Sequence, residues 1–397
     1  MPIWTPLRLE PNLRFERPDA ETGYVWGQPC ERSAILKTLN DGVPCRDPRT
    51  TPSLRRLGLR PGDVVAERWI VSDDPASGSR VAPSEAPLGG RALTELLNED
   101  PVGLLGPTHV ENFGSSLATV MKLLDTHDAP GRGALSVQVH PPTGYPGRPP
   151  KPEMWRGSGK IYLGWRKVVT EDEIRAALRA GRIESLMNRF ELHPEDLVLV
   201  PGGVVHAIRA GTFTAEWSMA PGGGPGGSPV DLTRATATLF DGTDGRPARP
   251  GKEDVETALD IMRASGGFDA YCPPPLLPRI LHEGRAGDRR SLLFRTAQVF
   301  VEEWRVASRL TRLKRDRGFG VYLASGALTL HAEGSSFRLE AAEEAFVPAS
   351  CELLDAVPGD QASEPARLYA WYAPLEEDIV RYGLDGERAG EQEWGGR

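Results

Sequence analysis

The sequence has few of the residues that build sulfur-based frameworks. Its four cysteines, Cys30, Cys45, Cys272 and Cys351, lie far apart in 397 residues, with no C-x-x-C pair. That excludes a disulfide scaffold and a thiolate zinc site. Long apolar runs are missing as well: no stretch of about 18 apolar residues is present to form a membrane helix. The opening MPIWTPLRLEPNLRFERPD is broken by charges and proline and has no apolar core for a signal peptide. A cytoplasmic protein without membrane contact is the expectation. Nor is there an excess of positive charge. The 47 Lys+Arg against 55 Asp+Glu leave a formal net charge of −8, which argues against a nucleic-acid partner.

Glycine and proline are abundant, at 44 and 36 residues. They favour a β-rich fold with many turns over a helical bundle. At roughly 100–200 residues per domain, the length allows two or three domains. Residues 1–60 show little regular pattern. Strand-like runs follow at 64–72, 134–140, 160–168, 197–208 and 213–219. Helical periodicity is read in 91–100, in SLATVMKLLD (116–125) and in 171–190, where Thr170 and Glu173 form a capping-box pattern. A further helix is expected over 253–265. The expected division is an irregular segment 1–60, a metal-binding unit 61–250, a helical connector 251–284, a second β unit 285–380 and a tail 381–397.

Histidine is the informative scarce residue, with seven copies. Two of them stand inside apolar runs, His140 in LSVQVHPP and His206 in VPGGVVHAI. Residues i and i+2 of a strand share a face, so Gln138 and His140 project side by side. Burying both without partners would cost about 1–3 kcal/mol each, and a metal ion supplies the partner. Glu153, in KPEMW, adds a carboxylate. Two imidazoles, a carboxylate and an amide oxygen suit Zn²⁺ or another divalent transition metal. The bland alternative is a pair of satisfied core histidines with Gln138 bonded to backbone.

LSVQVHPP, KPEMW, IYLGW and VPGGVVHAI, in that order, resemble the class I mannose-6-phosphate isomerases, a zinc-dependent family built on cupin β-barrels. YVWG (24–27), AERW, APLGGRALTELL, VETALDIM and AEEAFVPAS extend the resemblance over about residues 20–375. It implies a mainly β fold of two cupin-like, jelly-roll barrels with helical insertions, the second lacking a metal site. It also implies one Zn²⁺ per chain on Gln138, His140, Glu153 and His206. Lys151 takes the place of the family's active-site lysine, and Glu216 that of an acidic residue. Ser136 and Lys122, the latter read at a helix end, fall where the sugar phosphate is held. Arg234 stands near the family's arginine, but the segment departs from the family pattern. A glycine-rich loop is inserted before DLTR, and DLTR is one residue short.

The implied activity is interconversion of mannose 6-phosphate and fructose 6-phosphate by a monomer or weak homo-oligomer. Aldose–ketose isomerisation needs a base near the carbon and a cation for the developing oxyanion. Glu216 or a metal-oriented water would handle the carbon proton, with Lys151 assisting. Two other readings stand beside it. One is a non-catalytic or diverged metal-containing cupin that binds a sugar or sugar phosphate; the other is an iron-dependent oxygenase.

Other motifs carry less. Gly222, Gly224 and Gly227 spell G-x-G-x-x-G, but Pro225 interrupts it and no helix pattern follows. The basic run RLTRLKRDR (309–317) reads as a solvated strand and turn. His127 and His193 read as solvent-facing, and His331 as structural or surface.

Overall fold

The computed structural model describes residues 4–17, 24–40, 54, 57–129, 131–220, 234–246, 248–249, 251–284, 286–311, 313, 316–359 and 364–385. In chain order the first elements are β1 Leu7–Arg8, β2 Asn12–Glu16, β3 Gln28–Pro29, α1 Ala34–Leu39 and β4 Val64–Ile70. Three short helices follow, α2 Leu93–Glu99, α3 Pro101–Leu105 and α4 Pro107–Phe113. Then come β5 Thr119–Asp125, β6 Val137–Val139, β7 Glu153–Trp165, α5 Glu171–Arg179, β8 Met187–Leu192, β9 Leu197–Val200 and β10 His206–Ile208. β11 Phe213–Met219, β12 Ala237–Phe240 and α6 Val255–Ser265 complete the first half.

The remaining strands are β13 Arg279–Glu283, β14 Arg289–Arg295, β15 Phe300–Val306, β16 Leu310–Thr311 and β17 Phe319–Ser325. They continue with β18 Ala327–Ala332, β19 Ser335–Glu340, β20 Glu344–Val347, β21 Leu353–Pro358 and β22 Ala366–Tyr372, before α7 Glu376–Tyr382.

The fold is mainly β, and the named strands pair antiparallel. An 11-stranded sheet runs β12-β6-β10-β7-β11-β5-β4-β2, with β3 on β4 and both β8 and β9 on β7. β7 spans 13 residues and changes partners along its length, pairing β9 and β11 first and β8 and β10 later. Gly159 sits at that change with φ +132°, and a Cβ there would lie 2.5 Å from the Thr212 Cα, so only glycine fits. The second half forms a 7-stranded sheet, β1-β20-β17-β22-β15-β14-β13, and a 4-stranded sheet, β16-β21-β18-β19.

Several expectations need correction. The stretch 116–125 is the strand β5, not a helix, with every residue from Thr119 to Asp125 buried. Its apolar run serves two cores at once: Met121 and Leu123 pack into the seam between the halves, while Leu124 faces the other way. A run buried on both faces carries no strand alternation to read. The helix expected over 171–190 ends at Arg179, and 187–192 forms β8. Its predicted cap is present: Thr170 Oγ1 accepts from Glu173 N at 3.2 Å, and Thr170 N donates to Glu173 Oε2 at 2.8 Å. The described part of 1–60 holds three strands and a helix, and β1 belongs to the sheet of the second half. His127 is buried, its Nδ1 accepting from Ala129 N at 2.9 Å. The basic run is not uniformly solvated either, since Arg317 is buried and pairs with Asp378. His193 is exposed as expected. The glycine-rich loop with Gly222, Gly224 and Gly227, and the terminal EQEWGGR, lie outside the described residues.

Candidate metal centre

Three strands of the large sheet bring the central side chains together. His140 follows β6 directly, Glu153 opens β7 and His206 opens β10. All three are buried, and their ligand atoms lie within 4.8 Å of one another. The His140 Nε2 is 2.9 Å from Glu153 Oε1, and the His206 Nε2 is 3.6 Å from Oε2. The two imidazole rings are 4.8 Å apart, and the Trp155 ring packs edge-on against His206 at 5.5 Å.

Backbone carbonyls decide which nitrogen faces the centre. His140 Nδ1–H donates to Ala235 O at 2.8 Å, and His206 Nδ1–H donates to Val204 O at 2.9 Å. Each ring therefore presents a bare Nε2 to the carboxylate when neutral. Neutrality is enforced. Burial, with the Lys151 charge, pushes His140 down to about 4, and burial likewise lowers His206. Burial alone would raise Glu153, yet the Lys151 charge beside it holds it well below the usual carboxylate range.

Two lone pairs aimed at a carboxylate make an assembly of acceptors, which is stable only around a cation. Here the cation is the Lys151 ammonium, in contact with Glu153 Oε1 and 3.4 Å from His140 Nε2. The arrangement fits a divalent transition metal on chemistry alone: two imidazoles with locked tautomers, a carboxylate, and a charge requirement a side-chain ammonium now meets. Gln138 adjoins the cluster by register, directly opposite His206 on the paired strands. Its amide nitrogen donates to the buried Ser136 Oγ at 2.8 Å, which leaves the carbonyl oxygen as the end available to a cation.

The same face continues across β11, β5 and β4. Glu216 is registered against both Trp155 and Lys122, and Lys122 against Trp69. Lys122 is therefore a buried mid-strand lysine, not a residue at a helix end. Its Nζ bonds Glu216 Oε1 at 3.1 Å, Ser218 Oγ donates to the same oxygen at 3.1 Å, and the Trp69 ring lies 5.1 Å away. Burial works against the Lys122 charge, but Glu216, Glu67 and Glu153 outweigh it and raise its pKa. Glu67 accepts from the Trp69 indole and is itself pushed up by burial, with Lys122 opposing. Sequence reasoning gave Glu67 and Trp69 no role. The signal was available in AERW, where positions 67 and 69 share a strand face.

This charge cluster supports a stability prediction. Lys122→Met leaves Glu216 buried without its cation, with an expected cost of about 3–5 kcal/mol. The readout is a lower urea midpoint, partly restored by adding Glu216→Gln. A midpoint unchanged in the single variant would show that the pair carries no such weight.

Arg234 stands apart from the cluster. It is exposed, its Nη2 donating to Gly147 O at 2.6 Å in the loop between β6 and β7. Its neighbour Ala235 supplies the carbonyl that orients His140. His331 is half-buried on β18, in a different sheet, opposite Ser336 and Asp355.

Solved structures share the antiparallel β architecture that carries this cluster. The phosphomannose isomerase fold is the fold of this chain. Mannose 6-phosphate isomerase from Bacillus subtilis superposes with a TM-score of 0.63 at 19% identity, covering 93% of this chain and 100% of that one. A variant of phosphomannose isomerase from Salmonella typhimurium gives 0.61 at 14% identity, over 94% and 100%. No protein-family model matches.

In sequence the chain is similar to mannose-6-phosphate isomerases. It is 28% identical over 166 residues to a Bacillus subtilis protein named probable mannose-6-phosphate isomerase, covering 39% of this chain and 49% of the relative. It is 30% identical over 168 residues to mannose-6-phosphate isomerase of Streptococcus mutans, over 39% and 48%. The chain thus spans about half the length of the curated relatives it matches.

Proposed function

We propose that the chain is a zinc-dependent aldose–ketose isomerase that interconverts mannose 6-phosphate and fructose 6-phosphate. The observation that carries this reading is the convergence of two bare imidazole nitrogens on Glu153, around a cation, within the fold of the phosphomannose isomerases. His140, Glu153 and His206 would hold Zn²⁺, with the Gln138 oxygen as fourth ligand, and residues 61–250 form the working unit. Bound there, Zn²⁺ supplies Lewis acidity to the oxygens of the substrate's first two carbons.

The rest falls to the chain's own groups. Glu216, held by Lys122 and Ser218, is the carboxylate placed to take or return the carbon proton. Lys151 holds a proton at Nζ beside the ligand oxygens and can deliver it to a substrate oxygen. Lys122 and Ser136 take the substrate's anionic end, and Arg234 guards the rim beside the 141–150 loop. Gln138, Glu67 and Trp69 keep partial solvent exposure on this face of the sheet, the side from which a sugar would approach.

The test is turnover of mannose 6-phosphate by the purified chain loaded with Zn²⁺, followed by appearance of fructose 6-phosphate. A folded, zinc-loaded protein inert toward every hexose phosphate would overturn the isomerase reading and leave a sugar-binding protein.

A further inference from the structure

Among the described residues, the metal cluster and the Lys122–Glu216 pair come from the large sheet; the second half gives them no side chain. The halves nevertheless meet along strands that serve the site: Arg156 of β7 pairs with Glu303, Trp217 of β11 packs on Phe294 and Tyr369, and β4 carries a third contact. β4 sends Glu67 and Trp69 to the Lys122 face and Arg68 to the opposite face, where Leu123 of β5 is its register partner. Arg68 is 1% exposed and Glu344 of β20 is 0%. The Arg68 Nη2 donates to Glu344 Oε2 at 2.7 Å and to Ala342 O at 2.8 Å, and Nε reaches the same carboxylate at 3.2 Å. On the other side, Val71 N donates to Glu344 Oε1 at 3.4 Å.

Both backbone residues gripped by this pair are left-handed: Val71 has φ 51° and Ala342 φ 66°. A β-branched residue avoids that region and stays there only where its surroundings over-determine it. Val71 is the residue immediately after β4. The ion pair therefore fixes the point and direction at which β4 leaves the sheet, from a carboxylate that belongs to the other half. Trp69 lies two residues before that point, over the Lys122 ammonium.

We infer that Arg68 and Glu344 are positioning residues: their buried pair locks the end of β4 and so holds Trp69 over Lys122, which makes the second half a working part of the site. The inference rests on the assignment of Lys122 to the substrate's anionic end. Without the pair, β4 ends loosely, Trp69 leaves Lys122, and substrate binding weakens while the metal strands β6, β7 and β10 stay as they are.

The experiment uses the full chain with Zn²⁺ and the double variant Arg68→Met/Glu344→Leu, which removes both charges and strands neither. The expected result is parental metal content, KM for mannose 6-phosphate raised about tenfold and kcat changed less than about threefold. Hydrogen exchange at amides 64–70 should quicken about tenfold, with amides 206–208 unchanged. A folded, metal-loaded double variant with parental KM, or with kcat lost and KM kept, overturns the inference. If the double variant does not fold, Arg68→Lys decides. It keeps the charge but loses the forked reach to Ala342 O, so a parental KM and parental exchange at 64–70 overturn the inference. An inactive wild-type chain would instead sink the isomerase reading, and the exchange comparison would still decide the positioning role.

Discussion

His140→Ala should abolish metal retention and isomerase activity together. The His140 imidazole is held by Ala235 O on one nitrogen and meets Glu153 at 2.9 Å with the other, the orientation that the proposed metal site requires. Alanine leaves one imidazole and Glu153 with the neutral amide oxygen of Gln138, a weaker donor set than the two imidazoles and carboxylate of a catalytic zinc site. Metal-supplied charge stabilisation is worth several kcal/mol, so activity should fall by about 10³-fold or more, equivalent to about 4 kcal/mol. A readout independent of catalysis exists. Zinc at about 100 times its Kd should stabilise the parent by about 2.7 kcal/mol, and His140→Ala should show no zinc-dependent shift in Tm. His331→Ala is the control: that residue lies half-exposed on a separate sheet and should change neither property. Zinc-dependent stabilisation surviving in His140→Ala would remove this residue from the metal site.

Much of the centre was legible because its signals are local. Gln138 and His140 stand two apart on a strand, and KPEMW keeps Lys151 and Glu153 together. His206 stood out as a histidine inside an apolar run and the family resemblance joined it to the same set, but its register against Gln138 no local pattern could show. What escaped has a common physical cause. Lys122 was assigned to a helix end because β5 is buried on both faces, and alternation vanishes when neither face is wet. Glu67 and Trp69 were passed over because their importance comes from Lys122, opposite Trp69 on the next strand in space but more than 50 residues away in sequence. The mixing of the halves was illegible for the same reason. β1 crosses to the second sheet and Arg68 pairs with Glu344, contacts fixed only by the packed whole. Arg234 is the opposite case. Its number carried over from a segment whose sequence departs from the family pattern, and its guanidinium bonds Gly147 O.

Lys151→Ala should separate binding of the metal from use of it. In this structure the Lys151 ammonium contacts Glu153 Oε1 and stands 3.4 Å from His140 Nε2, on the very atoms a dication would take. Two cations brought to that carboxylate at such range repel each other. At an effective dielectric of about 20, unit charges about 4 Å apart repel by about 4 kcal/mol, and a dication roughly doubles that. The ammonium therefore opposes metal binding at Glu153, although it stands beside the metal it later serves. Removing it takes away that opposition. Zinc affinity, measured by chelator competition, should rise, while turnover falls about 10²–10⁴-fold for loss of a placed proton donor. The two substitutions thus shift zinc affinity in opposite directions and lower activity together, a pattern that general damage to the fold does not produce. Lys151→Ala with weakened zinc binding would show that the lysine supports the ligands structurally, and near-parental turnover would remove it from the proton transfers.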